Sequence, residues 1–471
     1  MEVLNGLSPK RVMYYFEELC KIPHGSGDTD KISDYCVNFA KKLGLEVIKD
    51  KHNNVIIKKP ASSGYENHEP VILQGHLDMV CEKEADCPID FTKDGLSLAV
   101  DGDLVYANGT TLGGDDGIAI AMAMAILEDA SAIHPPIEAL FTTDEETGMY
   151  GAEGLDVSFL SGKTLLNIDS EEEGILTVSC AGGARAKIEI PLTTVKTDAP
   201  CVKITVDGLI GGHSGVEIDK GRLNSNVVMG RLLNSLPFNY NIIDICGGMK
   251  DNAIPRCTEA VISCADDITA FCKEFEKASK IDTDSGLTVS VESAPASDIG
   301  FDKVSSEKIA SFLASVPNGV QAMSNNIEGL VETSLNLGIL KIEDSTLVAT
   351  FAVRSAVNAA KQALLAELDT VAKSFGGSSD SHAHYPAWEY RKDSRLRDTM
   401  VTVYEKLYGS SPKVEAIHAG LECGLFAGKI PDLDAVSFGP NMYDIHTTRE
   451  RMSISSVART YNYLTELLKV L

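Results

Sequence analysis

Five short segments, far apart in the chain, carry the residue types that hold divalent metals and move protons. They are Gln74-Gly75-His76-Leu77-Asp78, Gly113-Gly114-Asp115-Asp116-Gly117, Asp144-Glu145-Glu146, Asp169 and His446. Imidazole nitrogen and carboxylate oxygen are the donor mix that zinc accepts. His76, His446, Asp115, Glu146 and Asp169 suit a pair of such ions, with three carboxylates and one hydroxide balancing the charge of two zincs. One carboxylate must bridge if each ion is to reach three protein ligands. Asp115, in a run of glycines where the backbone can approach closely, is the best candidate. Asp78, two residues from His76, can take the other ring N–H of that histidine and fix its tautomer. Glu145, beside Glu146, stands where a general base for metal-activated water should be.

Taken singly, each piece has an ordinary reading. Asp115-Asp116 can be a helix N-cap with dipole-favoured acids. Glu145-Glu146 can be a solvated face, and Asp169 with Glu171-Glu172-Glu173 an acidic turn. The joint placement argues for the metal site. Val71–Leu73, Ile137–Phe141, Leu165–Ile168 and Ala435–Phe438 are short apolar runs, each followed by a loop that holds one of these residues. Such runs read as buried strands of a largely parallel sheet. In an open parallel sheet, ligands bind outside the carboxyl ends of the strands, so five remote segments can converge there.

The remaining elements fit an α/β chain. A helix is expected from Asp28 to Leu43, with Gly44 as its stop. Strands are expected at Leu45–Ile48 and Val55–Ile57 around a His52-Asn53-Asn54 turn. Ala119–Leu127 is apolar all round, which suits a helix buried against the sheet. Two strand-then-helix passages occupy the middle of the chain. One runs Ala260–Cys264 into Asp267–Ala278, and the other Leu347–Phe351 into Ala359–Phe375. They suggest an inserted α+β domain built from one duplicated unit, with hinges near Gly182-Gly183 and Pro386–Asp393. The expected layout is a three-layer, mostly parallel-sheet catalytic domain over 1–181 and 393–471, interrupted by a lid or dimerisation domain over 182–392.

Composition narrows the function. The 471 residues carry 42 Lys and Arg against 68 Asp and Glu, a formal charge of −26. That balance argues against nucleic acid or an anionic membrane as partner, since phosphate binding needs clustered bases. The longest apolar run, Gly117–Leu127, falls well short of the ~20 residues a membrane span needs. The N-terminal residues lack the apolar core of a signal peptide. Eleven scattered cysteines without a CxxC pair indicate neither a disulfide framework nor a thiolate zinc site. A cytoplasmic protein with reduced thiols is expected. No GxGxxG opens a helix after a strand, which removes a dinucleotide-binding reading.

Taken in order, Gly75-His76-Leu77-Asp78, Gly113–Gly117, Asp144-Glu145-Glu146-Thr147-Gly148, Asp169 and His446 resemble the motifs of the dinuclear-zinc aminopeptidase-like exopeptidases. That group includes carboxypeptidase G, the aminoacylases and the cytosolic dipeptidases. Ala416–Gly424 and Gly439–Thr447 are similar to its aminoacyl-histidine dipeptidase branch. The resemblance spans nearly the whole chain and implies residue roles. His76, Asp115 and Asp169 would hold one metal, and Asp115, Glu146 and His446 the other. Glu145 would be the base and Asp78 the partner of His76. A non-proline cis peptide would lie at Asp115-Asp116. His213, in Gly211-Gly212-His213-Ser214-Gly215, resembles the lid histidine that polarises the scissile carbonyl, with a turn histidine as the plain alternative. Arg354 can clamp a terminal carboxylate in bidentate fashion or simply end a strand. Asn252 can hydrogen-bond the same end or serve a turn before Pro255. His418 and Glu422 receive no role.

The function expected is a cytosolic metallodipeptidase acting on short peptides with a free C-terminal carboxylate, Xaa-His dipeptides among them. Its cofactor would be two divalent ions, Zn2+ first, with Mn2+ or Co2+ as alternatives. An N-acyl-amino-acid hydrolase, a tripeptidase with the same metals, or a non-catalytic metal-binding scaffold are the rivals. The family suggests a homodimer through the lid, whereas a duplicated lid would permit a monomer. The lid is expected to close on substrate, because His213 and Arg354 lie on a different domain from the metal residues.

Overall fold

The computed structural model describes residues 3–471. The chain divides into two compact units. The first takes in the chain as far as Ser179, Tyr390–Ala416 and Leu421–Leu471, and the second takes in Cys180–Glu389 and Ile417–Gly420. No composition shift announces the short Ile417–Gly420 return.

The first unit is built on an eight-stranded sheet. Its order is Glu46–Lys49, Val55–Lys59, Ile137–Thr142, Val71–His76, Thr164–Asn167, Asp434–Ser437, Ile175–Cys180 and Lys413–Ile417. Four central strands run parallel, Val71–His76 pairing with both Ile137–Thr142 and Thr164–Asn167, and Asp434–Ser437 with Thr164–Asn167. Their registers align His76 with Thr142, Gln74 with Asn167, and Asn167 with Ser437. Four carboxyl ends therefore open at one edge. The flanks are antiparallel, Val55–Lys59 against Ile137–Thr142 and Glu46–Lys49 against Val55–Lys59.

Every residue of Val71–His76 and Ile137–Thr142 is buried, as expected of strands covered on both faces. The Gly114–Glu128 helix packs on Val71–His76 and on the Lys10–Cys20 helix. Residues Gly117–Leu127 of that helix are all buried, which accounts for the absence of a polar stripe in the sequence. The expected Asp28–Leu43 helix spans Asp30–Lys42. Asp115 and Asp116 stand in the first turn of the Gly114–Glu128 helix with non-helical backbone angles, and the peptide between them is cis.

The second unit is built on a nine-stranded sheet. Its path runs Thr288–Ser293, Cys201–Asp207, Thr258–Cys264, Tyr240–Gly247, Val331–Glu343, Thr346–Ser355, Gly182–Pro191 and Ser378–Tyr385, with Gly319–Met323 beside Val331–Glu343. The two strand-then-helix passages are present as Thr258–Cys264 with Thr269–Ser279, and Thr346–Ser355 with Asn358–Ser374. Both strands lie in this one sheet, separated by Tyr240–Gly247 and Val331–Glu343. Helices Ser225–Ser235 and Lys303–Ser315 pack on one another. Their buried faces join the strands in a core that includes Phe312, Phe351 and Leu337. Among the described residues no helix is long and apolar enough to cross a membrane, and no disulfide forms.

Candidate metal centre

The open edge of the first sheet gathers the five expected ligands. His76, the last residue of its strand, is 1 % exposed. Its Nε2 lies 3.0 Å from Asp115 Oδ1 and 3.5 Å from Asp169 Oδ1. The second Asp115 oxygen, Oδ2, lies 3.2 Å from His446 Nε2, and that nitrogen is 2.9 Å from Glu146 Oε1. Asp115 thus turns one oxygen toward each histidine. Ligand atoms of Asp115, Glu146 and His446 lie within 4.8 Å of one another, as do those of His76, Glu145 and Glu146, and of His76, Asp116 and Asp169. In the last set, Asp116 Oδ2 accepts the His76 backbone N–H at 3.2 Å, while its Oδ1 is buried without a hydrogen-bond partner. Asp115 alone of these carboxylates faces both histidines, one oxygen to each.

The loops that deliver these residues have demanding backbones. Asp144, Asp444 and His446 all have positive φ, a region that side-chain-bearing residues enter sparingly and that recurs at functional sites. Gly75 has a different cause. A Cβ there would lie 2.5 Å from Asp116 Oδ2 and 2.7 Å from Ala119 Cβ, so only glycine lets the strand approach the helix.

The Asp78 carboxylate does something other than the sequence suggested. His76 Nδ1 donates to the Asp78 backbone carbonyl at 2.9 Å, while the carboxylate stands farther off, at 3.5 Å. Nδ1 is still engaged, with Nε2 turned toward Asp115. The carboxylate instead accepts Ser26 Oγ–H at 2.8 Å and the backbone N–H groups of Glu145 and Glu146 at 3.1 and 3.3 Å. Asp78 therefore ties the His76 strand end to the Glu145-Glu146 loop.

The cluster is strongly acidic. Burial opposes the charged form of His76, but Asp115, Asp169 and Asp78 outweigh it and raise its pKa well above the usual range. His446 is pushed up to about 10 by the neighbouring carboxylates of Asp115 and Glu146. Burial, reinforced by Asp169, Glu422 and Glu146, drives Glu145 well above the usual carboxylate range against the pull of His76. Glu146 Oε1 is buried and makes no hydrogen bond, although His446 Nε2 is only 2.9 Å away. The two atoms are close without being aligned on each other, as donors turned toward a common third atom would be. Excess carboxylates around two imidazoles and an unaligned buried carboxylate oxygen fit a set of divalent-cation ligands.

Behind the cluster lies a buried network that the sequence did not reveal. Glu422 is fully buried, and its Oε2 accepts Gln74 Nε2–H at 2.6 Å and Thr142 Oγ–H at 2.7 Å. Gln74 Oε1 accepts Asn167 Nδ2–H at 2.5 Å. These bonds link the three strands that lead to His76, Glu145 and Asp169. Burial pushes Glu422 up to about 8. Polar residues inside apolar strand runs, Gln74 and Asn167, were the available signal, since buried polar groups require partners.

The other expected residues belong to the second unit. His213 sits in the short Gly212–His213 strand, and its Nδ1 accepts the N–H groups of Gly215 and Val216, each at 3.2 Å. That leaves Nε2 as the nitrogen bearing hydrogen. Burial, with Arg354 and Arg185 nearby, lowers the His213 pKa and keeps the ring neutral. Arg354 is 7 % exposed and donates from Nη1 to the Tyr385 hydroxyl at 3.1 Å, while its buried Nε has no partner. Asn252 acts here through its backbone, its carbonyl accepting Ser214 N–H at 2.8 Å. His418 is buried against Ser334, with Nε2 2.7 Å from the hydroxyl oxygen, and burial together with Arg354 lowers it to about 4.

Comparison with known proteins agrees with this architecture. The profile of Peptidase family M20/M25/M40 matches residues 72–470, and the chain belongs to that family. It is 37 % identical over 480 residues to the cytosol non-specific dipeptidase of Escherichia coli K12, covering 100 % of this chain and 99 % of the relative. The crystal structure of aminoacylhistidine dipeptidase from Vibrio alginolyticus superposes with a TM-score of 0.94 at 35 % identity, covering 99 % of this chain and 98 % of that one. Aminopeptidase PepT from Bacillus cereus shares the fold at 18 % identity and a TM-score of 0.56, with 98 % of each chain covered.

Proposed function

We propose that this protein is a metal-dependent dipeptidase that hydrolyses short peptides with a free C-terminal carboxylate, Xaa-His dipeptides among them. The observation that carries the reading is the carboxylate of Asp115, whose two oxygens face His76 and His446 at 3.0 and 3.2 Å. His76, Asp115 and Asp169 would hold one divalent cation, and Asp115, Glu146 and His446 a second. Zinc is the first candidate for both, with manganese or cobalt as alternatives. When bound, the pair supplies Lewis acidity and lowers the pKa of water toward neutrality.

The chain's own groups do the rest. Glu145 takes a proton from the attacking water and returns it to the leaving amine, and its raised proton affinity suits both transfers. Asp78 holds the Glu145 and Glu146 amides and so sets where that carboxylate stands. His213, neutral and with hydrogen on Nε2, donates to the carbonyl oxygen as charge develops there. Arg354 pairs with the terminal carboxylate, and Asn252 adds a hydrogen bond to the same end. The names of the Escherichia coli and Vibrio relatives describe a cytosol dipeptidase and an aminoacylhistidine dipeptidase, and we extend both descriptions to this chain.

The test is a substrate panel on zinc-loaded protein. Hydrolysis of β-Ala-His and other dipeptides is expected, with loss of activity on chelation and slower turnover of Gly-Gly-Gly and N-acetyl amino acids. No dipeptide hydrolysis with metal bound, or a preference for N-acetyl amino acids, overturns the reading. Arg354→Ala should raise KM for free dipeptides by ~10-fold or more, the size of a lost charge-assisted hydrogen bond. Unchanged KM removes Arg354 from the substrate site.

A further inference from the structure

We propose that Glu450 is a positioning residue for the metal centre, tying the turn that carries Asp115 to the loop that carries His446. The inference rests on the dipeptidase reading above. Glu450 is 3 % exposed. Its Oε2 accepts the backbone N–H groups of Leu112 and Gly113 at 2.7 and 3.2 Å, and its Oε1 accepts that of Gly114 at 2.8 Å. Three consecutive amides, the last one immediately before Asp115, thus close on one carboxylate.

The glycines make that enclosure feasible. Gly113 has φ +65°, and a Cβ there would lie 2.9 Å from Met79 Sδ. A Cβ on Gly114 would lie 3.3 Å from both Glu450 Oε1 and Met442 Sδ. In its own loop Glu450 closes the turn after His446, its N–H donating to the Thr447 carbonyl at 3.1 Å. Thr447 Oγ–H in turn donates to the Asp444 carbonyl at 2.7 Å, on the other side of His446. One side chain therefore spans two segments that lie more than three hundred residues apart in sequence and deliver two ligands.

The chemistry requires a carboxylate. Both oxygens accept, and an amide in their place would turn an NH2 group against a backbone N–H. Asp115 and His446 are two of the three ligands proposed for one cation. His76 and Asp169 extend from paired strands and do not depend on this link. Asp115 is shared by both cations, so loss of Glu450 should weaken both, and more strongly the one that also needs His446.

The experiment uses the full chain, with Zn2+ alone as probe. Bound zinc per chain and its affinity are measured by elemental analysis and chelator competition, alongside thermal unfolding of the metal-free proteins. Wild type should hold two zincs. Glu450→Gln should bind one zinc ~10–100-fold more weakly, as expected when the support of a ligand is removed, and weaken the other distinctly less. The metal-free melting temperature should change little, which separates positioning from a general structural role. Wild-type affinity for both zincs in Glu450→Gln overturns the proposal, as does equal weakening of both. If wild type itself holds fewer than two zincs, the two-metal reading falls and takes this inference with it. Should Glu450→Gln not fold, Gly114→Ala applies the same test from the opposite wall. The same unequal weakening supports the proposal, and two tightly held zincs overturn it.

Discussion

His76 and His446 face one carboxylate from opposite sides and are held in unlike ways. His76 ends a fully buried parallel strand, is 1 % exposed, and has its Nδ1 engaged by the Asp78 carbonyl. His446 lies in a loop with φ +59°, and its side chain is 45 % exposed. One imidazole is placed by the sheet. The other is placed by a turn that leans on a few side chains. A metal centre can thus combine a ligand supplied by the fold with one supplied by a loop, and the two should fail differently when disturbed.

The largest effect tests what both sides would share. Glu145→Ala should cut turnover by ~10²–10⁴-fold, the range for a lost general base, while leaving metal content unchanged. Full activity would remove Glu145 from the base role. The next test separates the histidines. His76→Ala empties a buried site among carboxylates and should lower the stability of the metal-free protein by ~2–4 kcal/mol in urea unfolding. His446→Ala, at a half-exposed position, should lose distinctly less stability than His76→Ala while still losing one cation. Equal losses of stability would break the contrast.

Asp78→Asn probes the side chain that joins the two sides. Its carboxylate holds the Glu145 and Glu146 amides, so metal affinity should fall ~10–100-fold with only a minor change in melting temperature. Unchanged zinc competition would reduce Asp78 to a spectator. The smallest effect is one of pH. Without metal, His446 has its pKa raised to about 10 through Asp115 and Glu146, so its protonated form is favoured in the folded chain. That contribution is complete below the unfolded histidine value of ~6.5 and fades as pH climbs through about 10. Metal-free protein should therefore melt at progressively lower temperature across that window, and His446→Gln should flatten the slope. An identical slope in the variant would show that the Asp115–His446 contact contributes nothing to it.

Much of this arrangement could be read from the sequence because it is local. Val71–Leu73, Ile137–Phe141 and Leu165–Ile168 are apolar runs bounded by loops, and the strands fall at Val71–His76, Ile137–Thr142 and Thr164–Asn167. The convergence of His76, Asp115, Glu146, Asp169 and His446 follows from where each lies relative to a strand end. What stayed hidden is non-local or atomic. Glu422 looks like any helix-start acid until the fold brings it under Gln74 and Thr142. Glu450 looks like a charged loop residue until three amides close on it. The choice between the Asp78 carboxylate and its carbonyl as acceptor for His76 depends on 0.6 Å, the difference between 3.5 and 2.9 Å, which no spacing rule resolves. The antiparallel pair Glu46–Lys49 and Val55–Lys59 was legible as two strands around a turn, whereas the edge strand Lys413–Ile417, with two charged residues and no buried one, gave no such signal.

The return of Ile417–Gly420 to the second unit bears on how the chain comes off the ribosome. That unit receives His418, which packs on Ser334, only after Tyr390–Ala416 has been made for the other. The first unit in turn waits for Asp434–Ser437, a strand in the middle of its sheet. Neither half is a finished module until segments beyond the other's have been made, so the two units complete their folds late and in an interleaved order.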